Sequence, residues 1–214
     1  MQSVARKPLQ MMFVLFAVFS VVGVTLPRKA QAQAGPQPIT GCTRIIQPGS
    51  YVAVNNIKAT TTNLTQTDWG IPGCLVIAAD FVTLDLGGFT LFGPGNGVYA
   101  VGVITGSYGY RGATVRSGEV TNFFIGVYLG SQIGSKGGGY VLEHVTAIGN
   151  SSTGIEVFTD GARVVGNVAI SNGAQGFLIL CPGVVAQNMA ISNSSGEIVE
   201  WGSTCTNSEN NPAP

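Results

Sequence analysis

Charge is scarce in this sequence. Lys and Arg number 10, Asp and Glu number 10, and together they make up 9% of the 214 residues. That excludes a chain held open by self-repulsion and leaves no basic stripe for nucleic acid. Histidine occurs once, as His144, and the four cysteines, Cys42, Cys74, Cys181 and Cys205, include no close pair. A zinc site is therefore not expected. The aspartates stand apart, at 68, 80, 85 and 160, so a calcium cluster is not expected either. Neither metal nor cofactor enters the reading. After residue 34 no apolar run approaches the roughly 20 residues that cross a bilayer as a helix.

The one long apolar run, Met11 to Val24, lies between Arg6-Lys7 and the small residues Ala30-Gln31-Ala32 and Ala32-Gln33-Ala34. Residues 1 to 34 read as an export signal with a small-residue cleavage site. Arg6, Lys7, Arg28 and Lys29 leave with it, so six basic residues then face ten acidic ones, a net of about −4, which argues against nucleic acid and anionic membranes as partners. The expected localisation is secreted or periplasmic, and the expected mature chain is soluble.

What the chain has in quantity is glycine, 31 residues, and apolar residues, 45%. The apolar residues fall in runs of three to six, rich in Val, Ile, Phe and Thr, which suits strands and is too short for helices. Ala147-Ile148-Gly149-Asn150 returns as Ala169-Ile170-Ser171-Asn172 and as Ala190-Ile191-Ser192-Asn193, at separations of 22 and 21 residues. Repeats of that length mark a solenoid whose units bury their apolar sides on one another. Two or three short strands per repeat make one rung of a parallel β-helix, with rungs about 4.8 Å apart and equivalent residues in columns. Asn150, Asn172 and Asn193 form one such column, and Asn122 fits it one coil earlier. Stacked amides can hydrogen-bond along the pile, and Asn tolerates a left-handed turn. Gly126, Gly154, Gly176 and Gly196 follow as positions where a Cβ would clash.

The Asn column, the rung length and the run Val76-Ile77-Ala78-Ala79-Asp80-Phe81-Val82-Thr83-Leu84-Asp85-Leu86-Gly87-Gly88-Phe89-Thr90-Leu91 together resemble the right-handed parallel β-helix proteins, the pectate-lyase-like superfold. The resemblance spans roughly residues 45 to 200. It implies an all-β, single-stranded right-handed parallel β-helix of about six rungs with an N-terminal cap, and it implies carbohydrate as the partner. On activity it is silent, because one scaffold serves many functions.

In chain order, the leader at 1–34 precedes a cap and first rung at 35–75, the β-helix at 76–206 and a fraying tail at 207–214. Four cysteines in an exported chain point to disulfides, with three pairings open. Cys42 with Cys74 and Cys181 with Cys205 is favoured, because each pair would tie a terminal segment to its nearest rung. Glycine-rich loops at 93–97, 108–112 and 131–139 are the ones able to wall a groove.

The groups able to do chemistry are few. Glu143, His144, Arg116 and Arg163 fall on neighbouring rungs and are the candidate catalytic set for a small polysaccharide lyase or hydrolase, with Asp160, Glu119 and Glu156 nearby. Both reactions need more: a lyase needs a calcium cluster and a base, a hydrolase a facing carboxylate pair. Glu143 with Arg116 reads as a surface ion pair, and Asp85 as a residue bonding turn amides. Tyr108, Tyr110, Tyr128, Tyr140, Trp69 and Trp201 are candidates for stacking on sugars. The reading leans to a noncatalytic exported module with a carbohydrate-binding or cell-surface structural role. The sequence does not address oligomeric state.

Overall fold

The computed structural model describes residues 35–107, 109–130 and 138–212, so the leader, Tyr108 and most of the loop at 131–139 lie outside the described residues. Every element is a strand, and almost all pairing is parallel between successive coils. The chain is a parallel β-solenoid, as the repeat and the short apolar runs imply.

Three faces surround one core. The first is a sheet of Thr43–Ile45, Pro72–Ile77, Val101–Thr105, Ile125–Gly130, Ile155–Phe158, Gln175–Cys181 and Gly196–Gly202. The second stacks Gly49–Ala53, Val82–Asp85, Ala162–Val165, Gly183–Ala186 and Thr206–Ser208 with the leading halves of Thr114–Thr121 and Val141–Ile148. The trailing halves of those two long strands join Thr90–Phe92, Val168–Ile170 and Met189–Ile191 in the third. Inward columns such as Leu84, Val115, Leu142, Val164 and Val185 are fully buried, which is where the hydrophobic stabilisation of the stack resides.

Coil length along the second face falls from one end to the other. Ser50 pairs with Thr83, Thr83 with Thr114 and Thr114 with Val141, steps of 33, 31 and 27 residues. Val141 to Arg163, Arg163 to Val184 and Val184 to Thr206 are steps of 22, 21 and 22. The early excess is loop, so the sequence repeat surfaces only in the later coils. The regular solenoid completes about five turns, from Pro72–Ile77 to Gly196–Gly202, against about six expected. The turn before them is taken up by the irregular N-terminal segment.

That segment also differs from a simple end cap. Thr65–Gln66 pairs antiparallel with Pro72 and Gly73, Asp68 N donates to Gly106 O, and the Trp69 ring meets Tyr128. Gly106 and Tyr128 belong to later coils, so residues 65–71 lie along the flank of the first face rather than over the open end. There Ile71 packs on the outward Val76 and Ile104, a second small apolar cluster outside the solenoid. In the segment expected to fray, Thr206–Ser208 and Asn211–Pro212 are paired strands.

Both disulfides take the favoured pairing, Cys42–Cys74 and Cys181–Cys205.

Candidate functional site

Each regular coil turns its corners with the same two-residue device. One residue adopts a left-handed backbone and the next points inward. At the corner after the third face the left-handed residues are Asn122, Gly149, Ser171 and Ser192, at φ of 59°, 61°, 53° and 59°. The residues after them are Phe123, Asn150, Asn172 and Asn193. The column is thus a ladder of three asparagines, and Asn122 stands one residue ahead of it as the bend residue, with Phe123 in the ladder position. Asn tolerates that backbone because its short amide adds little steric cost.

The ladder is directional. Asn150 donates its backbone N–H and its Nδ2 to Asn172 Oδ1, at 3.1 and 3.0 Å, and Asn172 repeats both bonds to Asn193 Oδ1. Each amide also donates back to the preceding coil, Asn172 to Ala147 O and Asn193 to Ala169 O. The side chain thereby accepts the backbone N–H that the bend removes from sheet pairing, which satisfies groups that would be costly to bury alone. Gly154 and Gly176 lie beside it, where a Cβ would come within 2.6 Å of the next Asn Nδ2.

A second ladder, not anticipated from the sequence, runs at the corner between the second and third faces. Asn167 donates through N and Nδ2 to Asn188 Oδ1, and Asn188 does the same to Asn210 Oδ1. Its bend residues are Ser117, His144, Gly166, Gln187 and Glu209, all at positive φ. The signal was present: Asn167 and Asn188 each stand five residues before a member of the first ladder.

His144 is thereby a corner residue at φ 55°, exposed, with its imidazole against Gly166 of the next coil. Arg116 and Glu143 stack as Cα partners on the outer second face, yet they are not each other's ion pair. Arg116 Nε bonds Asp85 Oδ2 at 2.9 Å, and Arg163 Nη1 bonds Glu143 Oε2 at 3.1 Å. Asp85 lies one coil before Arg116 and captures it, leaving Glu143 to Arg163 one coil on. Asp85 also accepts Gly87 N at 2.8 Å, the turn-amide role read from the sequence. The four catalytic candidates therefore share one corner, outward but with both arginines ion-paired. Hollows of about 570 and 390 Å³ lie at the two ends of the solenoid, lined around Gln37–Gln47 and around Ile198–Asn210, and none of the four lines either.

Glu156, Glu119 and Asp160 do not join that corner. Glu156 points outward from the first face, Glu119 sits on the third, and Asp160 is an exposed turn residue. Tyr140 is 1% exposed and its hydroxyl donates to Tyr110 O at 2.6 Å, so it is core, not a sugar platform. Burial, then the charge of Asp80, pushes its hydroxyl up to about 12.

Four other aromatics form a surface. Along the outside of the first face, the rings of Trp69, Tyr128, Phe158 and Trp201 follow one another at centroid distances of 6.1, 6.0 and 5.9 Å. Trp69 comes from the flanking segment 65–71, and two outward columns carry the other three. Tyr128, Glu156, Leu178 and Val199 form one, and Phe158, Leu180 and Trp201 the other. Trp201 is 51% exposed and the rest half-buried. Phe158 closes the strand Ile155–Phe158, where Glu156 masks the signal; the next coil's Gly176-Phe177-Leu178-Ile179-Leu180-Cys181, with no polar alternation, is the run that marks this face as apolar on both sides.

Burial raises the Glu156 carboxyl above its ordinary value, and a hydrogen bond from Thr153 opposes the shift. Among the described residues one trio of possible metal ligands comes together, Cys181, Cys205 and Glu200, and its two sulfurs are joined in a disulfide. Among the described residues no helix is long and apolar enough to cross a membrane. The fold defines a parallel β-solenoid with disulfides suited to an oxidising compartment. Comparison of the chain with known protein families, with curated proteins and with solved structures gives no match.

Proposed function

We propose that this protein is an exported, pectate-lyase-like β-helix module that binds polysaccharide along the outside of its first face without cleaving it. One observation carries the reading: the aromatic strip Trp69–Tyr128–Phe158–Trp201 runs parallel to the solenoid axis over several coils. Sugar rings present C–H faces that stack on aromatic rings, and a strip along the axis suits a linear polymer. Export to a secreted or periplasmic location is supported by the leader-like residues 1–34 and by the two disulfides.

The rival reading is a small polysaccharide lyase or hydrolase using Glu143, His144, Arg116 and Arg163. It has proximity in its favour, since those residues share one corner. Against it, Arg163 is engaged by Glu143 and Arg116 by Asp85. The test is to incubate the signal-free protein with acidic and neutral polysaccharides while following binding, reducing ends and unsaturated-product absorbance. Binding without product supports the module. Product that disappears in His144→Ala or Arg116→Ala would establish the enzyme, and neither binding nor product would leave a cell-surface structural role.

A further inference from the structure

Resting on the polysaccharide reading, we propose that the strip selects uncharged polysaccharides over acidic ones such as polyuronates. The argument is the distribution of charge. The outward column through Tyr128 can be followed back through Ile104, Val76 and Arg44 to the first coil. Among the described residues, Arg44 is the one cation in that column or the next. It is occupied, with Nη1 donating to Gln66 O at 2.6 Å and an ion pair to Asp68.

Among the described residues, Glu156 is the charge of the strip that has no ionic partner. It stands between Tyr128 and Leu178 in its column, with Phe158 two residues along the strand. Among the described residues no salt bridge involves it. A polyuronate lying on the rings would bring carboxylates within a Debye length, about 8 Å at physiological ionic strength, of this group. It would also give up hydration with no guanidinium fork to replace it. The described arginines that could supply one, Arg111, Arg116 and Arg163, project from the corner and second face, paired with Asp80, Asp85 and Glu143. A neutral polymer meets no such penalty. Its C–H faces cover the apolar rings, and its hydroxyls can bond the Glu156 carboxylate.

The experiment measures equilibrium binding of the signal-free protein at pH 8 and low salt to a soluble β-1,4-linked glucan, a galactomannan, polygalacturonate and alginate. Wild type, Trp201→Ala and Glu156→Gln are compared. The expected result is binding of at least one neutral polymer that Trp201→Ala weakens tenfold or more. Both acidic polymers bind at least tenfold more weakly than that neutral one, and Glu156→Gln narrows the gap severalfold. Acidic polymers bound as well as neutral ones, with the same dependence on Trp201, would overturn the selectivity and leave the polysaccharide reading standing. Binding of none of the four would overturn both.

Discussion

The first and second faces of this solenoid are both built of stacked columns and spend them differently. On the second face, opposite charges recur from coil to coil and close on one another, Asp85 with Arg116 and Glu143 with Arg163. On the first face, the outward positions are aromatic or aliphatic, with Glu156 alone among them in the later coils. A charged corner that satisfies itself has little left for a ligand. An apolar strip with half its last ring exposed has free energy to gain from one. The residue types that first suggest chemistry, the histidine, glutamate and arginines, thus lie on the quieter face.

Substitutions between the faces should have the largest effect, because the corners hold both in place. Asn172→Ala removes the acceptor for Asn150 N and Nδ2 and the donor to Ala147 O, in a residue 1% exposed. A loss of roughly 3 to 5 kcal/mol is expected in denaturant unfolding, since each buried orphan costs about 1 to 3 kcal/mol. A loss under 1 kcal/mol would mean the ladder is ornament. Next in size is the C-terminal disulfide, whose cysteines are 24 residues apart. Replacing both with serine should cost about 3 kcal/mol on chain-entropy grounds, read as a lower thermal midpoint.

On the aromatic face, Glu156 makes stability depend on pH. Burial raises its carboxyl pKa in the folded state, so the folded protein holds the proton more tightly than the unfolded chain. Its contribution is therefore fully present below the ordinary value of 4.5 and is lost as pH rises through the folded-state value. Glu156→Gln should flatten the stability profile above pH 4.5, and an unchanged slope would show that the carboxyl is well solvated. The smallest effect belongs to the charged face. A double-mutant cycle on Glu143 and Arg163, side chains 25% and 51% exposed, should give a coupling of about 0.2 to 1 kcal/mol, shrinking with added salt.

Much of the fold is legible in the sequence because the last coils carry no insertions. Ala147, Ala169 and Ala190 stack as the repeat says they should. Where loops lengthen the coils the phase is lost, which is why Asn122 reads as a ladder member when Phe123 holds that position. The second ladder was hidden for another reason: its bend residues Gly166, Gln187 and Glu209 share no type, because a left-handed bend selects for backbone tolerance and not for one side chain. Side-chain direction is harder still. Every corner resets the alternation of inside and outside, so Tyr140 could be read as a surface ring and Phe158 passed over. Partner choice among charges also waits on structure, since Arg116 has Asp85 on one side and Glu143 on the other.

The central claim is that the aromatic face, not the charged corner, meets the ligand. The direct test is binding to a neutral soluble glucan by wild type, Trp201→Ala and His144→Ala, with product formation followed in the same samples. The account predicts that Trp201→Ala loses tenfold or more in affinity, that His144→Ala binds as wild type, and that no sample releases product. Turnover abolished by His144→Ala, with binding indifferent to Trp201, would contradict it.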